Sequence, residues 1–223
     1  MSFLPHYIHI VNPKLKHIYL TFNDQGELVI KSPKVSQKEI ENLLLKKASW
    51  INNAKKRLYL KKGKYPDFTQ DETLYFLGES HALAYTQHTK KRAELHFDGD
   101  TFTFACAEDD KNKLHKKIDA FYKKEAENYI PEVLQKWADI MGVQVSNLSF
   151  RKTKRQWGSC SSDNKISINT MVMKLPLDVI EYIIVHELAH IQHKHHQQAF
   201  WKHVERYLPE YKTQVTLLKE YTP

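Results

Sequence analysis

Cysteine is nearly absent from this 223-residue chain: Cys106 and Cys160 are the only two, too few for a disulfide framework. No apolar run is long enough to cross a bilayer, and Met1-Ser2-Phe3-Leu4-Pro5-His6 has neither the basic start nor the apolar stretch of a secretory leader. A reducing, cytoplasmic location without a membrane partner is the resulting expectation. Internal repeats and low-complexity tracts are missing too. Acidic residues are in deficit, 26 against 34 Lys and Arg, giving a formal charge of +8 and a pI near 9.2. Such a field favours polyanions over acidic proteins of similar size, so nucleotide or nucleic-acid partners stay open. The cations are scattered, however, at Lys46-Lys47, Lys55-Lys56-Arg57, Lys61-Lys62, Lys90-Lys91-Arg92 and Lys116-Lys117, the pattern of a solvated surface.

What is present suffices for a folded core: 41% of residues are hydrophobic and 12% aromatic. In the first half, Ile18, Leu20 and Phe22 alternate with polar residues, Asn23-Asp24-Gln25-Gly26 supplies a turn, and Leu28 and Ile30 resume the alternation, which predicts a hairpin. Ser36 and Glu39 form a capping-box signature, and Ile40, Leu43, Leu44, Lys47, Trp50 and Ile51 follow at helical spacing. Further strands are expected at 73–77, 82–86, 95–97 and 101–104. The polar stretch Glu108 to Lys113 is the candidate boundary, dividing a strand-rich part, 1–110, from a second part, 111–223. Leu114, Ile118, Phe121, Ile130, Val133, Trp137 and Ile140 mark helix beyond it, with Pro131 starting a new piece or kinking one, and Gly142 ending it. Val143 to Thr153 and Lys165 to Asn169 read as strands. The fold class is α+β.

The feature that most constrains function is His186-Glu187-Leu188-Ala189-His190. Four residues of helix turn a side chain through about 400° and advance it roughly 6 Å, so both imidazoles lie on one face and can converge on one ion. That is the spacing of a zinc site, with Glu187 placed to act as general base on a metal-activated water. Leu177, Ile180, Ile184, Leu188 and Ile191 recur at steps of three and four, a core-facing stripe in which charge-bearing groups call for a partner. A catalytic zinc site takes three protein ligands. On an unbroken helix His196 would stand about 15 Å from His186, so if it is the third ligand the helix ends near His193 and the chain turns back. No glycine serves that turn, and His195 is the substitute able to take a positive φ. His193, Glu205 and Glu210 compete for the third position.

Trp157-Gly158-Ser159-Cys160, Ile166-Ser167-Ile168-Asn169, the His-Glu-x-x-His helix, and His196 with Phe200-Trp201 together resemble the YgjP-like metallopeptidase family, relatives of the SprT and WLM domains among the small zincins. The 36–51 helix and Leu77-Gly78 extend the likeness over nearly the whole chain. The resemblance implies a strand-rich N-terminal part packed on a compact zincin core, a peptide or protein substrate, and His196 as third ligand. Members usually carry Asn-His-Ser there, whereas His195 and Gln197 flank His196 in this chain. It also implies that Ile166 to Asn169 is the edge strand along which an extended peptide pairs. The set read from sequence is therefore His186, His190 and His196 around Zn²⁺ or another divalent transition metal, with Glu187 catalytic.

Two other readings are weighed against this. Arg151, Thr153, Arg155 and Trp157 would share a strand face, and with Lys152 and Lys154 could grip a phosphoanhydride, making the same site a nucleotide hydrolase. The chain could also be a basic nucleic-acid-binding module with a structural metal, although such a site needs no Glu187. Cys160 reads as a packed residue, Phe200-Trp201 as a core clamp, and Tyr207 and Tyr211 as hydroxyls without a spacing that assigns them an oxyanion.

Overall fold

A computed structural model describes residues 4–23, 27–60, 62, 72–88, 92–107 and 111–223, leaving aside the side chains of 56–60 and 111–112. The fold is α+β, and its contacts divide it into two units, Met1–Lys61 and Lys62–Pro223. The division does not fall at 110/111. Leu74, Leu83, Phe102 and Phe104 share one buried cluster with Leu114, Ile118 and Tyr122, so the strands before the polar stretch and the helix after it close the same core. Half of that stretch, 108–110, lies outside the described residues, as do residues 24–26 of the expected turn and the basic residues 61, 90 and 91.

The first unit is a three-stranded sheet with two helices. Strands β1 (Tyr7–Val11), β2 (Tyr19–Phe22) and β3 (Leu28–Ser32) take the order β1-β3-β2, with β2 antiparallel to β3 as the alternation predicts and β1 added in parallel. Helix α1 (Gln37–Lys46) opens with the expected capping box, the Ser36 side chain accepting from Glu39 N–H and the Glu39 carboxylate accepting from Ser36 N–H. The single helix expected over 36–51 is two, because α1 stops at Lys47 and α2 runs from Ala48 to Leu60. Leu28, Ile30, Ile40, Leu44 and Ile51 form this unit's core.

The second unit begins with β4 (Thr73–Phe76), β5 (Glu79–Gln87), β6 (Glu94–Phe97) and β7 (Phe102–Cys106), ordered β4-β5-β7-β6. Helix α3 (Lys111–Met141) follows as one continuous helix with Pro131 inside it, and Gly142, at φ +64, ends it. A small sheet comes next, β8 (Asn147–Arg151), β9 (Gly158–Cys160) and β10 (Lys165–Asn169), ordered β8-β10-β9. A 3-10 turn (Thr170–Lys174) then leads into α4 (Leu177–Gln192), followed by α5 (Gln198–Tyr207) and α6 (Tyr211–Leu218). Ile180, Ile184 and Leu188 of α4 are fully buried, which accounts for its apolar stripe, whereas Leu177 at its start is exposed.

The start of α4 is fixed from a distance. Leu77 and Gly78, both at positive φ, join β4 to β5, and their amides donate to Met173 O at 2.8 Å and Lys174 O at 3.2 Å. A Cβ on Gly78 would lie 2.7 Å from Pro176 Cγ, so only glycine lets the turn approach the residue that caps α4.

Candidate metal centre

Helix α4 ends at Gln192, with His193 as its C-terminal cap, and the chain reverses to bring His196 back over the helix. No residue near the reversal has positive φ, so His195 does not take the conformation expected of it; Gln197 N–H donates to His195 O at 2.7 Å and closes the turn in ordinary backbone geometry. The result is convergence. His196 Nε2 lies 2.9 Å from His186 Nε2 and 3.1 Å from His190 Nε2. Phe200, fully buried on α5, packs against all three rings at centroid distances of 4.6 to 4.9 Å.

The outer ring nitrogens decide what the inner ones can do. His190 Nδ1 lies 3.0 Å from His193 O, and since a carbonyl only accepts, Nδ1 carries the proton and Nε2 is a bare lone pair. His186 Nδ1 faces the Tyr182 hydroxyl at 3.3 Å. Burial, reinforced by the charges of His190 and His196, pushes His186 down to about 3, and burial also lowers His190, so both are neutral near pH 7. Inward-facing nitrogens of neutral imidazoles need something cationic between them. The three residues form a group able to hold a metal ion, and three imidazoles leaving a further position open suit a zinc-type site.

The structure does not bring the other candidates here. His193 packs against His203 with centroids 5.1 Å apart, Glu205 pairs with Lys212 at 3.5 Å, and Glu210 caps α6.

Glu187 is 6% exposed and lies against β9. A Cβ on Gly158 would sit 2.7 Å from Glu187 Cγ and 2.8 Å from its Oε1, so the bare glycine makes the space the carboxylate occupies. Burial pushes Glu187 up to about 7, opposed in part by the Arg151 guanidinium. A carboxylate in that range can hold or release a proton near neutrality.

A cleft of about 430 Å³ opens over these groups, lined by Gln156 to Cys160 on one side and by Tyr182, Ile183, His186, Glu187, His190, Lys194, His196 and Leu218 on the other. Its rim is β9. The edge expected at Ile166 to Asn169 is instead the central strand, hydrogen-bonded to β8 on one side and to β9 on the other, so its backbone has no open edge. Asn169 N–H donates to Trp157 O and Ser161 N–H to Lys165 O, which fixes the ladder's phase. Residues 157, 159 and 161 thus turn toward β10, and the N–H and C=O of Gly158 and Cys160 point outward.

Three residues of the centre, Tyr182, Asn169 and Lys194, were given no role of their own by the sequence reading, and the Trp157–Cys160 segment does form a wall of the cleft. Tyr182, one turn before His186, was detectable from its i, i+4 spacing. Asn169 is buried and donates from Nδ2 to Thr153 O, Thr153 Oγ1 and Gln156 O while its Oδ1 accepts from Met171 N–H, pinning the loop that presents Trp157 and Gly158. Gly158 as the seat of Glu187 and Lys194 as a cleft residue needed the tertiary contacts. Conversely, β8 ends at Arg151 and Thr153 Oγ1 donates to Gln156 O, so Arg151, Thr153, Arg155 and Trp157 do not share one strand face. Cys160 lines the cleft with its thiol raised by burial, and Tyr207 and Tyr211 are outside the lining.

An α+β unit carrying a three-histidine centre beside a buried carboxylate is built like a metal-dependent hydrolase. The family model for the YgjP-like metallopeptidase domain matches residues 16–221, and the chain belongs to that family. Two similar solved structures are the metallopeptidase zymogen abylysin of Pyrococcus abyssi and the metallopeptidase zymogen jannalysin of Methanocaldococcus jannaschii. Abylysin is 26% identical, over 42% of this chain and 99% of its own, with a TM-score of 0.37. Jannalysin is 21% identical, over 39% of this chain and 93% of its own, with a TM-score of 0.35. A comparison with curated proteins gave no match. Among the described residues no helix is long and apolar enough to cross a membrane.

Proposed function

We propose that this chain is a zinc-dependent peptidase in which His186, His190 and His196 hold the ion and Glu187 is the general base. The observation that carries the reading is the convergence of three Nε2 atoms, 2.9 and 3.1 Å apart through His196, beside a buried carboxylate seated on a glycine. Held by His186, His190 and His196, zinc would supply Lewis acidity toward a water and toward a substrate carbonyl. Glu187, buried on the rim side of α4, takes the proton from the attacking water and returns it to the departing amine. Tyr182 and His193 O hold two of the rings in the orientation that keeps Nε2 inward. The substrate pairs in extended form with the outward N–H and C=O of Gly158 and Cys160 on β9, which sets its carbonyl over Glu187 without requiring any charge on the peptide.

The phosphoanhydride reading draws less support from the geometry. Lys152 Nζ is held by both Asp119 oxygens at 2.7 and 2.8 Å, and Arg151 Nη2 donates to Ser159 Oγ at 2.6 Å, so these cations already have protein partners. The test is metal analysis of the purified protein with a broad peptide and nucleotide screen of wild type against Glu187→Gln. The reading expects one zinc per chain in both proteins and peptide cleavage in wild type alone. Cleavage retained by Glu187→Gln removes the mechanism, and nucleotide turnover without any peptide cleavage removes the substrate class.

A further inference from the structure

Strand β9 and helix α4 run alongside one another. Gly158 meets Glu187, and three residues further along the chain, just past β9, Ser161 O accepts from Lys194, which lies two residues beyond the end of α4. Three residues of extended chain advance about 10 Å, so the cleft is a groove with two distinguishable ends. Before Gly158 on the chain and one helical turn before His186 and Glu187, the lining is Trp157, Tyr182 and Ile183, aromatic and apolar. The other end carries Lys194.

Lys194 Nζ donates to Ser161 O at 3.3 Å, Ser162 O at 3.4 Å and Asn164 Oδ1 at 3.0 Å. All three acceptors are neutral, two of the bonds are long, and among the described residues no carboxylate pairs with this ammonium. A charged acceptor binds an ammonium about twice as strongly as a neutral one, so an incoming carboxylate displaces the weaker bonds. Among the described residues Glu187 is the only carboxylate lining the groove.

Building on the peptidase reading, we propose that Lys194 selects substrates: it receives a carboxylate of the peptide about three residues from the scissile bond, while an apolar side chain on the other side of that bond lies against Trp157 and Ile183. The substrate class is a peptide that is acidic at one end of the bound segment and apolar at the other. The carboxylate is either an Asp or Glu side chain or the peptide's own C-terminus, and the chemistry at Lys194 is the same.

The experiment maps cleavage sites of the zinc-loaded protein in a peptide library by mass spectrometry. It then measures kcat/KM on quenched-fluorescent peptides carrying Glu, Gln or Lys at each position out to four residues from the cut, with free or amidated C-termini. Wild type is expected to favour Glu over Lys about fivefold to tenfold near the third residue on one side, and Lys194→Arg to keep that preference. Lys194→Met is expected to lose it and Lys194→Glu to reverse it toward Lys. Loss of the preference on amidation of a peptide without Asp or Glu assigns the carboxylate to the C-terminus. Zinc content, measured for each variant, separates lost selectivity from a disturbed ligand turn. Should a variant fail to fold, the wild-type preference must still shrink as salt rises from 0.05 to 0.5 M, by general screening. Cleavage without acidic preference, or a preference unchanged in Lys194→Glu or by salt, overturns the proposal. A zinc-loaded wild type that cuts no peptide overturns the peptidase reading instead.

Discussion

Gly158→Ala tests whether the carboxylate and the rim strand are fitted to one another. Gly158 is not at positive φ, so alanine is acceptable to the backbone and the perturbation is one of space alone. The added methyl would meet Glu187 Cγ at 2.7 Å, Oε1 at 2.8 Å and Cδ at 2.9 Å, whereas ordinary contact begins at 3.4 Å; the carboxylate arm must yield by at least 3.4 − 2.7 = 0.7 Å. A side chain 6% exposed can yield only toward the cleft it lines, so Glu187 is driven off its rotamer. That costs about 1 kcal/mol of stability, the low end for overpacking because a side chain moves rather than the backbone. The functional cost is larger, since a misplacement near 1 Å lowers turnover by about 100-fold; a loss of about tenfold to 100-fold in kcat is expected. Zinc content should be unchanged, because the clashing atoms belong to Glu187 and not to the histidines. Peptidase kinetics, metal analysis and guanidinium unfolding on one preparation decide it. Wild-type kcat refutes the reasoning, and so does a loss of activity that simply follows a loss of zinc.

Tyr182→Phe keeps the stack on Tyr211 and removes only the hydroxyl facing His186 Nδ1, so zinc affinity measured by chelator competition should fall about 10-fold to 100-fold with the metal-free fold unchanged. Asn169→Ala strips the donors from Thr153 O and Gln156 O and the acceptor from Met171 N–H, and should cost about 2–4 kcal/mol in chemical unfolding. In the metal-free protein two titrations oppose. Glu187, raised from 4.5 to about 7, contributes stability that is present below 4.5 and lost as pH climbs through 7. His186, lowered from 6.5 to about 3, contributes stability that is present above 6.5 and lost as pH falls toward 3. Glu187→Gln removes the first, so between pH 4.5 and 6.5 its stability should climb with pH more steeply than wild type, by up to about 1.4 kcal/mol per unit. Parallel curves for the two proteins contradict the assignment.

What the sequence made legible follows the range of the interactions. The pairing of His186 with His190 is a property of one helical turn, and the reversal that returns His196 follows from bond lengths too short for a straight helix. The capping box at Ser36 and the β2–β3 alternation are likewise local. Strand order is not. Gly158 to Cys160 is too short to announce itself as a strand, so Ile166 to Asn169, with its clear alternation, took the edge that β9 occupies. The break at Lys47 was hidden because apolar spacing continues across it to Ile51. The 110/111 boundary was drawn from a polar stretch, yet whether a core continues past such a stretch depends on what Phe102 and Tyr122 meet in space. Gly158 as the seat of Glu187 is a contact between residues 29 positions apart, which no local pattern encodes.

The three histidines proposed as metal ligands lie within ten residues of one another, while the wall that seats Glu187 comes from another part of the chain. Closing so short a loop costs little entropy, so the histidine segment can assemble and capture metal early, on its own terms. Hydrolytic competence must wait for the long-range docking of β9, which aligns Glu187 and offers a strand to pair with. On the proposed mechanism, metal capture and catalysis therefore depend on different ranges of contact along the chain.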